Sequence, residues 1–342
     1  MAVTIRDVAI ASNSSITSVS RVLNNCDYPV SDKLRKRILK AAKELNYVPN
    51  LTARSLKMNT GTEIAVVLPS IINPYYTTII KGMEDHFFRE NLGMLIYITN
   101  KNKRSPEKIV ESVRGRQVAG IIAATDSVND ALLSELISIK EAGTPVVLLD
   151  YPPINMNSQG IYGVFCDYYK GASMATEYLL KMGHRNIAFA TTHLDRQSRV
   201  LRYNGFRDTM QSNGVDFDDS DLLICPLEST YDAGVELAGM IINASDRITA
   251  VAAINDAVAA AIVTGLNMRG VRVPDEISVI GFDNADIARM THPLLTSVDV
   301  SAEEMGNLAA TSLISEIKGN EMKQNIDLEP IIVERKSVKC II

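Results

Sequence analysis

The sequence of 342 residues predicts a small all-α head followed by a two-lobed α/β body. Three observations lead there. The first 58 residues hold capped amphipathic helix patterns and no strand-like run. After residue 62, short continuous apolar runs alternate with helical stretches, as buried parallel strands and their crossover helices do. The charge also reverses at that boundary. Residues 1–60 carry 10 Lys/Arg and 4 Asp/Glu, a balance of +6; the whole chain is at −5, which leaves −11 on residues 61–342. A basic head on an acidic body is a localised field aimed at a polyanion.

The head is read in order. Thr4 caps a first helix, with Asp7 three residues on, near the positive helix end. Asn13-Ser14 forms a turn, and Ser15 caps a second helix from Ile16 to about Asn24. Ile16, Thr17, Ser20, Arg21 and Asn24 share an arc of roughly 140°. Val19, Val22 and Leu23 occupy the other side. One face therefore packs, and the other offers a cation, two hydroxyls, an amide and an exposed isoleucine, the composition with which a helix–turn–helix enters a major groove. Ser31-Asp32 starts a third helix with apolar positions at Leu34, Ile38, Ala41 and Leu45. Tyr47-Val-Pro49 breaks the pattern, and Asn50 caps a last short helix, Leu51 to about Lys57. Two turns of helix are marginal alone, since isolated helices shorter than roughly 12–15 residues are. This segment orders only against something else.

These residues carry a resemblance. Thr4-Ile-Arg-Asp-Val-Ala9, Ser18-Val-Ser-Arg-Val-Leu-Asn24, and Leu45-Asn-Tyr-Val-Pro-Asn50 followed by Ala53-Arg-Ser-Leu56 resemble the lactose/galactose repressor (LacI-type) family of bacterial transcription regulators. The resemblance implies a homodimer on a pseudo-palindromic operator in double-stranded DNA. Thr4, Ser15, Ile16, Thr17, Ser20, Arg21, Asn24, Asn50 and Ala53 match DNA-binding positions. Leu56 matches the leucine that wedges into the minor groove and kinks the duplex. There are departures. Asn13 stands where the family uses Gly, and Asn tolerates the left-handed backbone next best. Ser14 replaces a buried Val, at some loss of packing. The loop Asn25–Pro29 is one residue longer.

The resemblance also implies a periplasmic-binding-protein-like body of two doubly wound parallel sheets. The resulting division is 1–48 helix–turn–helix domain, 49–61 hinge, 62–164 plus 293–323 first lobe, and 165–292 plus 324–342 second lobe. The strand-like runs are 64–68, 94–98, 118–122, 146–149, 187–190, 250–254 and 277–281. Ligands of open α/β sheets sit beyond the carboxyl ends of the strands. Reading onward from those ends gives Asn73, Tyr75, Tyr76, Asp150, Arg202, Asn255, Asp256 and Asp283, which match the family's effector-contacting positions. Carboxylates, amides, a guanidinium and aromatic faces suit a polyhydroxylated ligand, a sugar or sugar derivative; a purine is the alternative. Asn73 and Asp256 have a competing use as helix caps or loop fixers. The Gly183-His184-Arg185 turn reads as structural.

Other classes fare poorly. No transmembrane run or secretory leader is evident. Cys26, Cys166, Cys225 and Cys340 lie far apart and only four His are present, so no metal site is expected and the chain reads as cytoplasmic. No phosphate-cradling glycine motif or nucleophile elbow occurs, so no catalytic residue is assigned. The expectation is a ligand-responsive DNA-binding repressor of a carbohydrate-utilisation operon, needing no cofactor beyond its effector. A corepressor-dependent regulator assisted by a phosphorylated partner protein is the variant within that class. A small-molecule-binding protein or carbohydrate enzyme with a helical appendage is the competitor outside it.

Overall fold

A computed structural model describes residues 3–23, 30–47, 61–99, 106–124, 131–150, 160–227, 229–244, 248–320 and 324–342. It divides into two compact units, residues 1–62 and 63–342.

In the first unit, α1 (Ile5–Ala11), α2 (Ile16–Leu23) and α3 (Asp32–Glu44) pack on one another. Thr4 starts α1: its amide and hydroxyl both donate to the Asp7 carboxylate, at 2.8 and 2.7 Å. Those bonds, the hydroxyl's first, hold the Asp7 carboxyl below its ordinary range. Asn13 takes a left-handed backbone, φ 43°, so the turn survives without glycine. Val8, Ala9, Val19, Val22, Ile38, Ala41 and Ala42 form the core. Ser14 is half-buried beside it, and its hydroxyl shares a 2.7 Å hydrogen bond with that of the fully buried Ser12. Ser12 in turn donates to the Val8 carbonyl at 2.6 Å. The expected packing loss is thus accompanied by a satisfied polar pair. The hinge at 51–57, with Asn24, Asn50, Ala53 and Leu56, lies outside the described residues.

The second unit holds two six-stranded sheets. β1 (Glu63–Leu68), β2 (Gly93–Ile98), β3 (Gly120–Ala124), β4 (Val146–Leu149), β5 (Tyr162–Cys166) and β11 (Ile326–Leu328) form one, in the order β11-β5-β4-β3-β1-β2, all parallel. β6 (Ile187–Thr191), β7 (Leu222–Ile224), β8 (Ala250–Ala253), β9 (Ser278–Asp283), β10 (Thr296–Asp299) and β12 (Ile331–Val333) form the other, in the order β12-β10-β9-β8-β6-β7. There β12 alone is antiparallel, to β10. The central strands are buried throughout, which is why they read as unbroken apolar runs.

The helices of this unit are α4 (Pro74–Arg89), α5 (Pro106–Arg116), α6 (Ala131–Glu141), α7 (Tyr168–Lys181), α8 (Gln197–Ser212), α9 (Thr230–Asn243), α10 (Asp256–Met268) and α11 (Ala302–Ile317). α11 packs on α4 and on β3, β4 and β5, so it belongs to the first lobe. α4 and α11 cross closely: a Cβ on Gly82 would stand 2.1 Å from the Glu303 carbonyl oxygen, and one on Gly306 2.1 Å from that of Ile79.

The chain crosses between lobes three times, but not quite where the sequence placed the boundaries. All of β5 joins the first sheet, so the first crossing follows Cys166 rather than 164. β10 stays in the second sheet, which moves the return from 293 to about 300. β11 joins the first sheet, so the last crossing lies between 328 and 331, not at 324. The physical reason is pairing: β10 continues beside β9, and a three-residue edge strand such as β11 carries too little pattern to be assigned from sequence.

His184 is buried, with Nδ1 2.9 Å from the Thr249 hydroxyl and Nε2 3.1 Å from the Lys339 carbonyl. Its turn is structural, as expected. Among the described residues no helix is long and apolar enough to cross a membrane, and no group of three or more His, Cys, Asp or Glu is placed to hold a metal.

Candidate functional sites in the head and the body

In the head, α2 buries Val19 and Val22 and presents the opposite face. Ile16 is 43% exposed, a costly position for an apolar side chain unless something covers it. Ser15 and Thr17 are exposed, and Ser20 and Arg21 half-buried on the same side. Ser15 begins the helix by accepting from the Ser18 amide at 3.1 Å. Arg37 on α3 donates to the Asn13 carbonyl at 3.0 Å, tying the turn to α3. Thr4 is exposed at the start of α1.

In the body, a cavity of about 770 Å³ opens between the lobes at the carboxyl ends of the strands. Asn73, Tyr75, Tyr76, Asp150, Arg202 and Asn255 line it. Asp150 follows β4 with φ 60° and is buried. It accepts hydrogen bonds from the hydroxyls of Tyr75 on α4 and Tyr168 on α7, which are 2.8 Å from each other. Burial pushes the Asp150 carboxyl up, while the two tyrosines oppose that. Burial and the neighbouring carboxylate push both tyrosines well above the phenol range. They stay protonated and act as donors.

Arg202 on α8 lies between two rings, its guanidinium carbon 4.2 Å from the centre of Phe282 and 4.6 Å from that of Tyr168. Its Nη1 donates to the Ile254 carbonyl at 2.7 Å, and Nη2 is 3.5 Å from Asp283 Oδ1. Burial works against its charge, but Asp283 and the neighbouring oxygens hold its pKa above the ordinary range. Two buried atoms here have no hydrogen-bond partner, Arg202 Nε and Asp283 Oδ1. Asp283 follows β9 at φ 104°. Burial pushes its carboxyl up to about 7, against the attraction of Arg202 and a hydrogen bond from Asn73.

Asp283 therefore does not line the cavity; it stands behind Arg202. Asp256 is removed further and requires a correction. Its Oδ2 accepts from the Ala285 amide at 2.7 Å and its Oδ1 from the Ser297 hydroxyl at 2.6 Å. It fixes the loop that carries Asp283, and both its oxygens are spent there. A Cβ on Gly281 would come within 2.1 Å of that Oδ1, so this strand position has no room for a side chain. Asn255 and Asn73 are both helix caps, accepting from Val258 at 2.9 Å and Tyr75 at 3.1 Å, and both cavity residues. Capping is the competing use expected of Asn73. Tyr76 is buried in the lobe core with an edge on the wall, packed edge-on to Tyr75 at 5.0 Å.

Sequence reasoning missed Tyr168, Thr192, Arg196 and Arg199, the last three of which line the cavity. Tyr168 follows β5, a strand that was not read, and the same strand-end rule would have found it.

A three-helix head with an exposed polar reading face, joined in sequence to a two-lobed α/β body around a polar cavity, defines a class of ligand-controlled DNA-binding regulator. Residues 4–50 match the family model for bacterial regulatory proteins of the lacI family, and residues 176–338 that of a periplasmic binding protein-like domain. A relative, the HTH-type transcriptional regulator DegA of Bacillus subtilis, is 34% identical over 340 residues, 98% of both chains. The HTH-type transcriptional repressor PurR of Histophilus somni is 31% identical over 345 residues, 99% of each. Among solved structures, a complex of the transcriptional regulator CelR with cellobiose covers 98% of this chain and 99% of its own, at 27% identity and TM-score 0.71. A Lac repressor dimer bound to operator and the anti-inducer ONPF shares the fold, covering 99% of this chain and all of its own, at 23% identity and TM-score 0.83. The chain belongs to the lacI family of bacterial transcriptional regulators, built from a DNA-binding and an effector-binding domain. Its relatives are regulators and not enzymes.

Proposed function

We propose that this regulator is a cytoplasmic homodimeric repressor that binds a pseudo-palindromic operator and is controlled by a small polyhydroxylated effector in the body cavity. The observation that carries the DNA reading is the outward face of α2, with Ile16, Thr17, Ser20 and Arg21 displayed on a folded head and the packing residues beneath. Arg21, Thr17 and Ile16 read base edges in one half-site, and the surrounding Lys and Arg hold phosphates. Leu56 of each subunit wedges into the minor groove at the dyad. The cavity supports the effector reading. Tyr75 and Asp150 place a hydroxyl and a carboxylate in the wall, with Tyr168 behind them on Asp150, Asn73 and Asn255 present amides, and Arg202 offers a planar donor. The regulated genes on this reading serve carbohydrate utilisation.

The test selects duplex sequences with the full-length protein and measures binding by fluorescence anisotropy at several salt concentrations. The expected outcome is a two-fold related consensus, bound with an affinity that falls steeply with salt because many contacts go to phosphate. A protein that retains no duplex, or one whose selected sequences share no half-site, refutes the proposal.

A further inference from the structure

We propose that Ile16 reads one thymine in each operator half-site through the 5-methyl group of that base. This rests on α2 being the helix that enters the major groove. Among the residues of α2, Ile16 is the one large apolar side chain left exposed, at 43%, and it stands outside the core of the head. Ser20, one turn on, and Thr17 and Arg21 beside it are polar. Ile10 and Leu39 are exposed as well, but they belong to α1 and α3. A lone apolar side chain is ordinary on a protein surface. At the leading end of a reading helix it faces base edges instead of water alone.

Local geometry holds Ile16 in place. Ser15 accepts from the Ser18 amide at 3.1 Å, and the two serine hydroxyls are 2.9 Å apart, so the first turn of α2 is closed. Arg37 on α3 donates to the Asn13 carbonyl at 3.0 Å and fixes the turn that precedes it. Isoleucine is β-branched and keeps essentially one side-chain rotamer in a helix. Ile16 is therefore a stiff apolar knob where recognition helices touch bases. The major groove offers such a knob one matching group. Guanine presents two acceptors there, adenine an acceptor and a donor, and cytosine a donor; thymine adds a methyl to its acceptor. Against the polar edges Ile16 would displace water and return no hydrogen bond, which leaves a donor or acceptor unsatisfied. Against the methyl, two apolar surfaces leave water together. The hydroxyls of Thr17 and Ser20 donate or accept as needed, so they discriminate less between bases.

The test uses the duplex that the full-length protein selects and replaces each thymine of the half-sites by deoxyuridine, one symmetric pair at a time. This removes the methyl and keeps every base-pairing and groove hydrogen bond. Fluorescence anisotropy is expected to show one position where the loss weakens binding about fourfold in one half-site and about fifteenfold in both, as burial of one carbon per subunit allows. Ile16→Ser should bind the thymine and deoxyuridine duplexes equally, and Ile16→Val should keep part of the preference. Ile16 is exposed and outside the core, so these variants leave the fold of the head intact. Thr17→Ser, which deletes the other methyl at the start of the helix, should leave the preference unchanged. A selected half-site without thymine, or one in which no deoxyuridine weakens binding, overturns the proposal and leaves the DNA-reading role of α2 standing. A methyl preference that survives Ile16→Ser, or that disappears in Thr17→Ser, overturns the assignment to Ile16. Failure to select any half-site overturns the DNA-reading role and this proposal with it.

Discussion

Replacing Asp283 by Asn removes one titration from the buried floor and should change how the stability of the protein depends on pH. The Asp283 carboxyl, ordinarily near 3.8, is pushed up to about 7 in the fold, chiefly by burial. The folded state therefore holds a proton that the unfolded chain has already released between those values. Stability must fall as pH rises through that window and level off above it. Each pKa unit corresponds to about 1.4 kcal/mol, so the full shift amounts to roughly 4 kcal/mol. Asn mimics the protonated carboxyl in shape and tolerates a positive φ better than most residues. Measured by urea unfolding with far-ultraviolet circular dichroism, Asp283→Asn should exceed wild type by about 2 kcal/mol at pH 5 and about 4 at pH 8, then no further. Asp256 and Asp150 are also shifted upward, by burial first, and Asp256 next by the Asp283 charge; removing that charge relieves Asp256 and adds to the difference in the same direction. A difference that stays constant from pH 5 to 8 refutes the reasoning, because it places the Asp283 carboxyl outside that range in the fold.

Three further outcomes are expected. Arg21→Ala should weaken operator binding in anisotropy titrations by about 1–3 kcal/mol if Arg21 holds a base edge in bidentate fashion, and unchanged affinity removes it from the reading face. Gly281→Ala sets a methyl against Asp256 Oδ1 and should cost about 1–3 kcal/mol in unfolding free energy; a variant as stable as wild type would show that the loop of Ala285 and Ser297 yields freely. Tyr168→Phe removes one of the two hydroxyls on Asp150 and should lower stability by about 1 kcal/mol while raising the Asp150 carboxyl further, which infrared spectroscopy of the carboxyl stretch reads directly. An unaltered carboxyl band would mean that Tyr75 alone satisfies Asp150.

The head was legible because its signals are local. A cap, a three-to-four residue apolar spacing and a left-handed Asn13 each act within a few residues, and α1, α2 and α3 lie where those signals put them. The central strands were legible because both faces are buried. β5, β7, β10, β11 and β12 were not, since short strands with partly exposed faces or mixed residue types carry no such signature. The site divides in the same way. Strand ends can be found from sequence, so Asn73, Asp150 and Asn255 were found. What a carboxylate does at a strand end depends on partners far along the chain: Ser297 and Ala285 claim Asp256, while Arg202 claims Asp283. Arg196 and Arg199 look like solvated helix arginines until α8 is placed against the cavity.

Control by a ligand requires that it interact unequally with two states of the body, whatever its affinity for either. The cavity is arranged for that. Asn73, Tyr75 and Asp150 belong to the first lobe, and Tyr168, Arg202, Asn255 and Asp283 to the second. Links that already span the lobes include the Tyr75–Tyr168 hydroxyl pair, the hydrogen bond from Tyr168 to Asp150 and that from Asn73 to Asp283. The three short crossings near 167, 300 and 330 constrain how one lobe moves relative to the other. A ligand that touched one lobe would be indifferent to that movement. One that bridges Asp150 and Arg202 gains its second set of contacts only at a particular lobe separation. The Arg202 Nε, which has no hydrogen-bond partner, adds to this difference, because a buried polar atom without a hydrogen bond costs about 1–3 kcal/mol until a partner arrives. The arrangement with the ligand in place is therefore favoured by more than the contacts to either lobe alone, and that surplus is the free energy available to act on the DNA-binding head.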